Sequence, residues 1–200
     1  MIRVGTSGWS YPSWRGGFYP AGMQPAEFLR FYAERFDTVE LNSTGYRLPS
    51  EDQFRRWAEA VPDGFRFAVK LPLRRLDRVT PFLERVLALG DRLGPVRVVV
   101  EAAQDDGLVS FVEGSVPEEI ELAWDFRHES WAGAGGGIVR VGDPAAEPFR
   151  YLRLREPPYT DDELATAAAE ARDQAYIYLR HEDEPTAPAY AEKLRALVRQ

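Results

Sequence analysis

The residues best suited to chemistry stand just after short apolar runs. The stretch Asp125-Phe126-Arg127-His128-Glu129-Ser130-Trp131 is the most informative. An imidazole titrates nearest neutrality, and a nearby carboxylate orients it or raises its pKa. His128 is therefore read as a general acid/base, with Asp125 orienting it or sharing its role. A structural reading stands beside it, in which Asp125 and Arg127 form an ion pair while His128 caps a turn. Lys70 ends another apolar run and, with Lys193, is one of only two lysines among 25 basic residues. A lysine kept at a strand end in an arginine-rich chain offers a titratable amine for base or Schiff-base chemistry, unless its retention is chance.

Other polar groups complete the set. Glu40 and Asn42 would position a substrate, and Lys70, Arg127 and Arg153 would hold or polarise its anionic group. Gly5-Thr6-Ser7-Gly8-Trp9 either cradles an anion on backbone N–H groups, with Thr6 and Ser7 at the site, or is a plain tight turn. It has neither the Gly-x-Gly-x-x-Gly spacing of a dinucleotide loop nor the lysine of a phosphate loop. Trp9 and Trp131 would wall the pocket. The rings Trp9, Tyr11, Trp14, Phe18 and Tyr19 either floor a binding surface or pack under an irregular loop. Glu40, Glu101, Asp125, Asp143 and His128 offer oxygen-rich ligands suited to magnesium or manganese, but no ligand spacing demands an ion. No metal and no cofactor is assigned.

These residues need elements to bring them together. Short apolar runs at Ile2–Val4, Thr38–Leu41, Phe65–Val69, Val96–Val100, Ile120–Trp124, Ile138–Val141, Phe149–Leu154 and Ala175–Leu179 read as eight strands. Helices read between them. Phe28, Phe31, Tyr32 and Phe36 recur at helical spacing after Pro25, and Ser50…Gln53 and Thr160…Glu163 are capping-box patterns. A further helix opens at Thr80-Pro81 and stops at Gly94-Pro95, and a last one carries Tyr190, Leu194, Leu197 and Val198. Between the fourth and fifth strands, Leu108–Glu113 reads as one helical turn at most. Strands separated by helices imply right-handed βαβ units and parallel pairing. Eight of them point to a closed barrel whose functional groups gather at the C-terminal strand ends, with an open doubly wound sheet as the alternative.

Composition sets the bounds. The 200 residues are 44% hydrophobic, 12% aromatic and 28% charged, an ordinary globular mixture for one domain spanning 1–200. There is no cysteine, which excludes disulfides and thiolate chemistry. No apolar run approaches a membrane span and no leader pattern is visible, so a cytoplasmic protein is expected. The net charge of −7 disfavours nonspecific binding to duplexes or anionic membranes.

Larger motifs carry a resemblance. Gly5-Thr6-Ser7-Gly8-Trp9-Ser10-Tyr11-Pro12-x-Trp14-x-Gly16, Phe18-Tyr19-Pro20 and Phe36-Asp37-Thr38-Val39-Glu40-Leu41-Asn42-Ser43-Thr44-x-Tyr46-Arg47 resemble the YecE-like family, domain of unknown function 72. Phe65-Arg66-Phe67-Ala68-Val69-Lys70-x-Pro72 and Phe126-Arg127-His128-x-Ser130-Trp131 extend it. The resemblance implies a TIM-like barrel and no particular reaction. Against the family pattern, Glu101-Ala102-Ala103-Gln104 replaces Gln-Leu-Pro-Pro, and Asp125 replaces Glu. Arg153-Leu154-Arg155-Glu156 replaces Arg-Leu-His-Gly, and Arg180-His181 replaces paired asparagines. The helices after the fourth and fifth strands look largely deleted.

The expectation is thus a compact TIM-like α/β barrel, with the helices after strands 4 and 5 reduced or missing. It would perform acid/base chemistry on a small anionic or polar metabolite. One alternative is a binding or regulatory module that has lost catalysis. Another is nucleic-acid handling through Arg74, Arg75 and Arg78 with the N-terminal rings, which ranks behind a metabolite. The oligomeric state is not readable.

Overall fold

The computed structural model describes residues 1–45, 47–133, 137–180 and 184–199. His181 and Tyr46, both singled out above, lie outside the described residues. Seven parallel strands are present among them: β1 (Ile2–Thr6), β2 (Thr38–Leu41), β3 (Arg66–Pro72), β4 (Leu93–Val100), β5 (Leu122–Phe126), β6 (Arg150–Leu154) and β7 (Ala175–Leu179). They pair in the orders β1-β7-β6 and β2-β3-β4-β5. A bridge between Ser7 and Glu40 links β1 to β2, and bridges Trp124–Arg140 and Val141–Tyr151 link β5 to β6 through a single extended stretch.

The expected sixth strand, Ile138–Val141, is that stretch, and it is no more than a pair of bridges. Gly137 and Gly142, both at positive φ, bend the chain on either side and leave too few residues for a ladder. Trp124 N–H still donates to Val139 O at 2.8 Å, and Val141 N–H donates to Trp124 O at 2.9 Å.

The helices are α1 (Phe28–Ala33), α2 (Glu51–Glu59), α3 (Val79–Val86), α4 (Asp106–Ser115), α5 (Asp161–Glu170) and α6 (Thr186–Leu197). Thr160 and Glu163 form the reciprocal capping box at α5. At α2 only half of that motif forms. Ser50 accepts from Gln53 N–H, while the Gln53 side-chain oxygen accepts from Arg56. The reading of a reduced crossover after the fourth strand is corrected by α4, a full ten residues. The Asp105 side chain caps it by accepting from Gly107 N–H, and Val112, one turn after Leu108, is wholly buried. Its glycines and serines mask a helical apolar face that packing supplies. After β5, the one helical element among the described residues before β6 is a short 3-10 turn, Glu129–Trp131, in keeping with the reduced crossover expected there.

Alternation along the strands divides the core in two. Phe67 and Val69 of β3 join the large cluster with the helices, whereas Ala68 between them belongs to a second cluster with Ala123, Phe149, Tyr151, Tyr176 and Tyr178. That second cluster draws on both sheets, so the strands are buried on both faces. Tyr178 and Thr38 share a hydrogen bond of 2.7 Å across the gap, between hydroxyls contributed by different sheets. No described helix is long and apolar enough to cross a membrane.

Candidate functional site

Above the tyrosine layer the space between the sheets turns from apolar to charged. Glu40, the third residue of β2, is fully buried. Its Oε2 accepts from Ser7 Oγ at 2.8 Å and its Oε1 from the Tyr151 hydroxyl at 2.7 Å. Two guanidinium groups complete the shell, Arg97 Nε at 2.7 Å from Oε1 and Arg153 Nη2 at 2.9 Å from Oε2. The Arg97 Nε–H is not aimed at the oxygen, so that contact is an ion pair without a hydrogen bond. Burial pushes the Glu40 pKa up, but Arg97, Arg153 and the hydroxyls of Tyr151 and Ser7 outweigh it and hold the carboxyl below its ordinary value.

Arg97 joins this centre to a second. Its Nη1 donates to Asp125 Oδ2 at 2.6 Å and its Nη2 to Asn42 Oδ1 at 3.0 Å. Asp125 also accepts from Arg127 at 2.8 Å and, through both oxygens, from Arg155 at 3.1 Å. Room for the long Arg97 side chain comes from small neighbours. Arg97 is in register with Ala123 of β5, and Glu40 with Ala68 of β3. Burial works against the charge of Arg97, yet Glu40 and Asp125 raise its pKa further above its ordinary value.

Lys70 lies beside Arg97 in register on β3. Partial burial lowers its pKa; Arg97, Arg153 and Arg127 add to the fall and Glu40 opposes it. Arg127 is likewise lowered, by burial and by Arg155, Arg97 and Arg153 against the pull of Asp125. Five cations therefore surround two carboxylates, leaving a formal excess of three positive charges. Arg127 and Arg155 are the accessible members, with side chains 40% and 31% exposed. The cluster therefore carries more positive than negative charge, and its accessible edge is formed by guanidinium groups.

The expected residues divide. Glu40, Asp125, Lys70, Ser7, Asn42, Arg127 and Arg153 come together. His128 does not join them: it is exposed, and its Nδ1 bonds to the Ser130 hydroxyl at 2.9 Å and accepts from Ser130 N–H at 3.2 Å. Thr6 faces α1, its amide and hydroxyl both reaching the Tyr32 hydroxyl. The amides of Ser7 and Gly8 donate to Leu179 O and Thr6 O, so these two are already engaged within the fold. Trp131 packs on the outward side of β5, stacked at 4.1 Å on Phe126 and donating to Ala102 O. Glu101 is exposed, and Asp143 accepts from Ala145 N–H in its own turn. Among the described residues no three His, Cys, Asp or Glu gather as a metal site.

Trp9 lines a cavity of about 480 Å³ together with Tyr11, Leu29, Asn42, Gln53 and Trp57. Asn42 thus serves both this cavity and the charged cluster. Trp14, Phe18 and Tyr19 are packing instead, with Tyr19 stacked on Phe28 at 4.0 Å. Arg74, Arg75 and Arg78 rim a separate cleft of about 330 Å³ above Leu48 and Phe82. Arg97 and Tyr151 were missed as site residues, whereas Arg155 is legible as a cation following the Phe149–Leu154 run. The signal for Arg97 was a charge inside the apolar run Val96–Val100.

Comparison with known proteins agrees with this architecture. The model of a family described as "Protein of unknown function DUF72" matches residues 3–141. The chain belongs to the DUF72 family. Within it, the UPF0759 protein YecE of Escherichia coli strain K12 is 33% identical over 149 residues, which is 68% of this chain and 52% of that protein. The same figures hold for YecE of strain O157:H7. The chain thus spans about half the length of the curated relatives it matches. A DUF72 protein from Thermotoga maritima has a similar fold, with a TM-score of 0.76 at 22% identity over 100% of both chains. One from Enterococcus faecalis gives 0.76 at 16%, covering 100% of this chain and 98% of the other. The DUF72 match takes in Ser7, Glu40, Lys70, Arg97 and Asp125 but stops short of Tyr151, Arg153 and Arg155.

Proposed function

We propose that this DUF72 chain binds a small phosphate- or carboxylate-bearing metabolite at the C-terminal strand ends and performs acid/base chemistry on it. The observation carrying the reading is the cationic excess around Asp125, with Arg127 and Arg155 partly open to solvent. Lys70, rather than His128, is the titratable group within that cluster. Glu40 and Arg97 form the fixed floor, and the cavity that Asn42 also lines has room for the uncharged part of the ligand. The reading includes a barrel closed through the Ser7–Glu40 and Arg140/Val141 bridges, which would bring all these strand ends to one mouth.

Calorimetric titration with inorganic phosphate and a panel of phosphorylated and carboxylated metabolites tests it. Saturable binding is expected, weakened roughly 10- to 100-fold by Arg155→Ala or Arg127→Ala, since a hydrogen bond between charged groups contributes about 1.5–3 kcal/mol. His128→Ala should bind like the parent. Absence of saturable binding by any anion at low salt would remove the proposal. A binding module without catalysis is the second reading, favoured by the saturation of Asp125 with three arginines. Recovery of every bound metabolite unchanged would select it.

A further inference from the structure

Every cation of the cluster except one is arginine. A guanidinium holds an anion in two-point geometry and never loses its proton, so an ammonium is the poorer choice for binding alone. What lysine adds is a nucleophilic amine. The other lysine, Lys193, is an exposed partner of Asp161 on the far helix α6 and shares none of this setting.

Three features place the Lys70 amine for such work. Its side chain runs along Gly45, where a Cβ would stand 3.1 Å from Cδ and Cε and 3.2 Å from Nζ. Any larger residue at 45 would crowd the arm. Thr44 ties this loop to β3 and β2 by donating to Lys70 O and Leu41 O, each at 2.8 Å. Charged groups acting on the amine include Arg97 of β4, Arg153 of β6, Arg127 beyond β5 and Glu40 of β2. The partial burial and the three arginines favour the neutral amine and Glu40 opposes them, while Glu40 itself is held by Arg97, Arg153, Ser7 and Tyr151.

We propose that Lys70 is a nucleophile that forms an imine with a small carbonyl-bearing anion, a 2-oxo acid or a phosphorylated aldehyde or ketone. The inference rests on the anion-binding reading above, since Arg127 and Arg155 would hold the anionic group. The Nζ lone pair adds to the carbonyl carbon as the C=O π pair moves to oxygen. One proton then passes from nitrogen to that oxygen, giving a carbinolamine. The hydroxyl takes a second proton, from solvent, and leaves as water while nitrogen supplies the new C=N bond, so amine, carbonyl and one proton are exchanged for iminium and water with no oxidant or reductant. The cationic nitrogen then draws electrons from the adjacent carbon, which is the activation that proton abstraction or carbon–carbon cleavage needs.

Borohydride reduction tests it, because an imine becomes a stable secondary amine. The protein would be incubated at neutral pH with glyoxylate, pyruvate or pyridoxal 5′-phosphate as probes, reduced, and mapped by peptide mass spectrometry. The chain has only Lys70, Lys193 and the terminal amine to modify. Lys70 should be labelled faster than Lys193, because its surroundings favour the neutral, nucleophilic amine. Inorganic phosphate should protect it, Arg155→Ala should slow it, and Lys70→Arg, checked for folding by circular dichroism, should carry no adduct there. Labelling of Lys193 as fast as Lys70, or no adduct at Lys70 while phosphate still binds by calorimetry, would overturn the imine and leave the anion site standing. Neither adduct nor phosphate binding would overturn both.

Discussion

Glu40 is the residue on which the site depends most. It is a wholly buried carboxylate facing two guanidinium groups, and removing one partner of such a pair strands the others. Glu40→Gln should cost about 3–5 kcal/mol in urea unfolding, because Arg97 and Arg153 would keep their charge without its counterpart. The sign of the pH dependence follows from the same contacts. The folded carboxyl titrates below its ordinary value, so its stabilisation is complete above the ordinary glutamate range and is lost as pH falls from that range down through the lower folded value. Unfolding free energy should decline on acidification with a slope that Glu40→Gln flattens. An unchanged slope would show that Glu40 is not held charged by its neighbours.

Among the elements, the contact between β1 and β2 is the tightest constraint. A Cβ on Gly5 would lie 2.2 Å from Thr38 O, a backbone atom that cannot step aside. Gly5→Ala should therefore separate the strand that carries Ser7 from the one that carries Glu40. A loss of about 3 kcal/mol is expected from overpacking, read as a lowered thermal midpoint together with weakened anion binding. A fall in stability alone, with binding intact, would mean that the site tolerates the shift. The element scale also explains α4. Two glycines and two serines hide its periodicity, yet Asp105 starts it and Val112 is buried by it. Tertiary burial outweighs weak propensity there.

Across the whole molecule, the acidic chain concentrates positive charge at one place. Anion binding should weaken as salt rises, yet less steeply than on an open surface, because the cluster is partly desolvated. Closure is the other whole-molecule question. If the mouth is closed through the stretch after β5, the amides of Trp124, Val141 and Gly142 should exchange with solvent as slowly as those of β4. Rapid exchange at these three with protected β4 would mean an open flank.

Seven of the eight expected strand positions, the parallel pairing and the grouping of Glu40, Asn42, Lys70, Asp125 and Arg153 were legible in sequence. Each follows from a local pattern, an apolar run and the polar residue that ends it. His128 looked equally qualified by the same pattern. Which side of the chain its ring takes is decided by the turn, where the nearest donors are those of Ser130. Arg97 was illegible for the opposite reason. It sits within an apolar run, and nothing local says that Ala68 and Ala123 on neighbouring strands leave space for it. By itself, then, the sequence determined which segments extend, which coil, and which polar groups lie at strand ends, because those depend on residues close in the chain. Only the tertiary structure decided that two carboxylates would share Arg97 and that Lys70 would stand among arginines. Charges interact through space, and their neighbours here come from strands as much as 113 residues apart between Glu40 and Arg153.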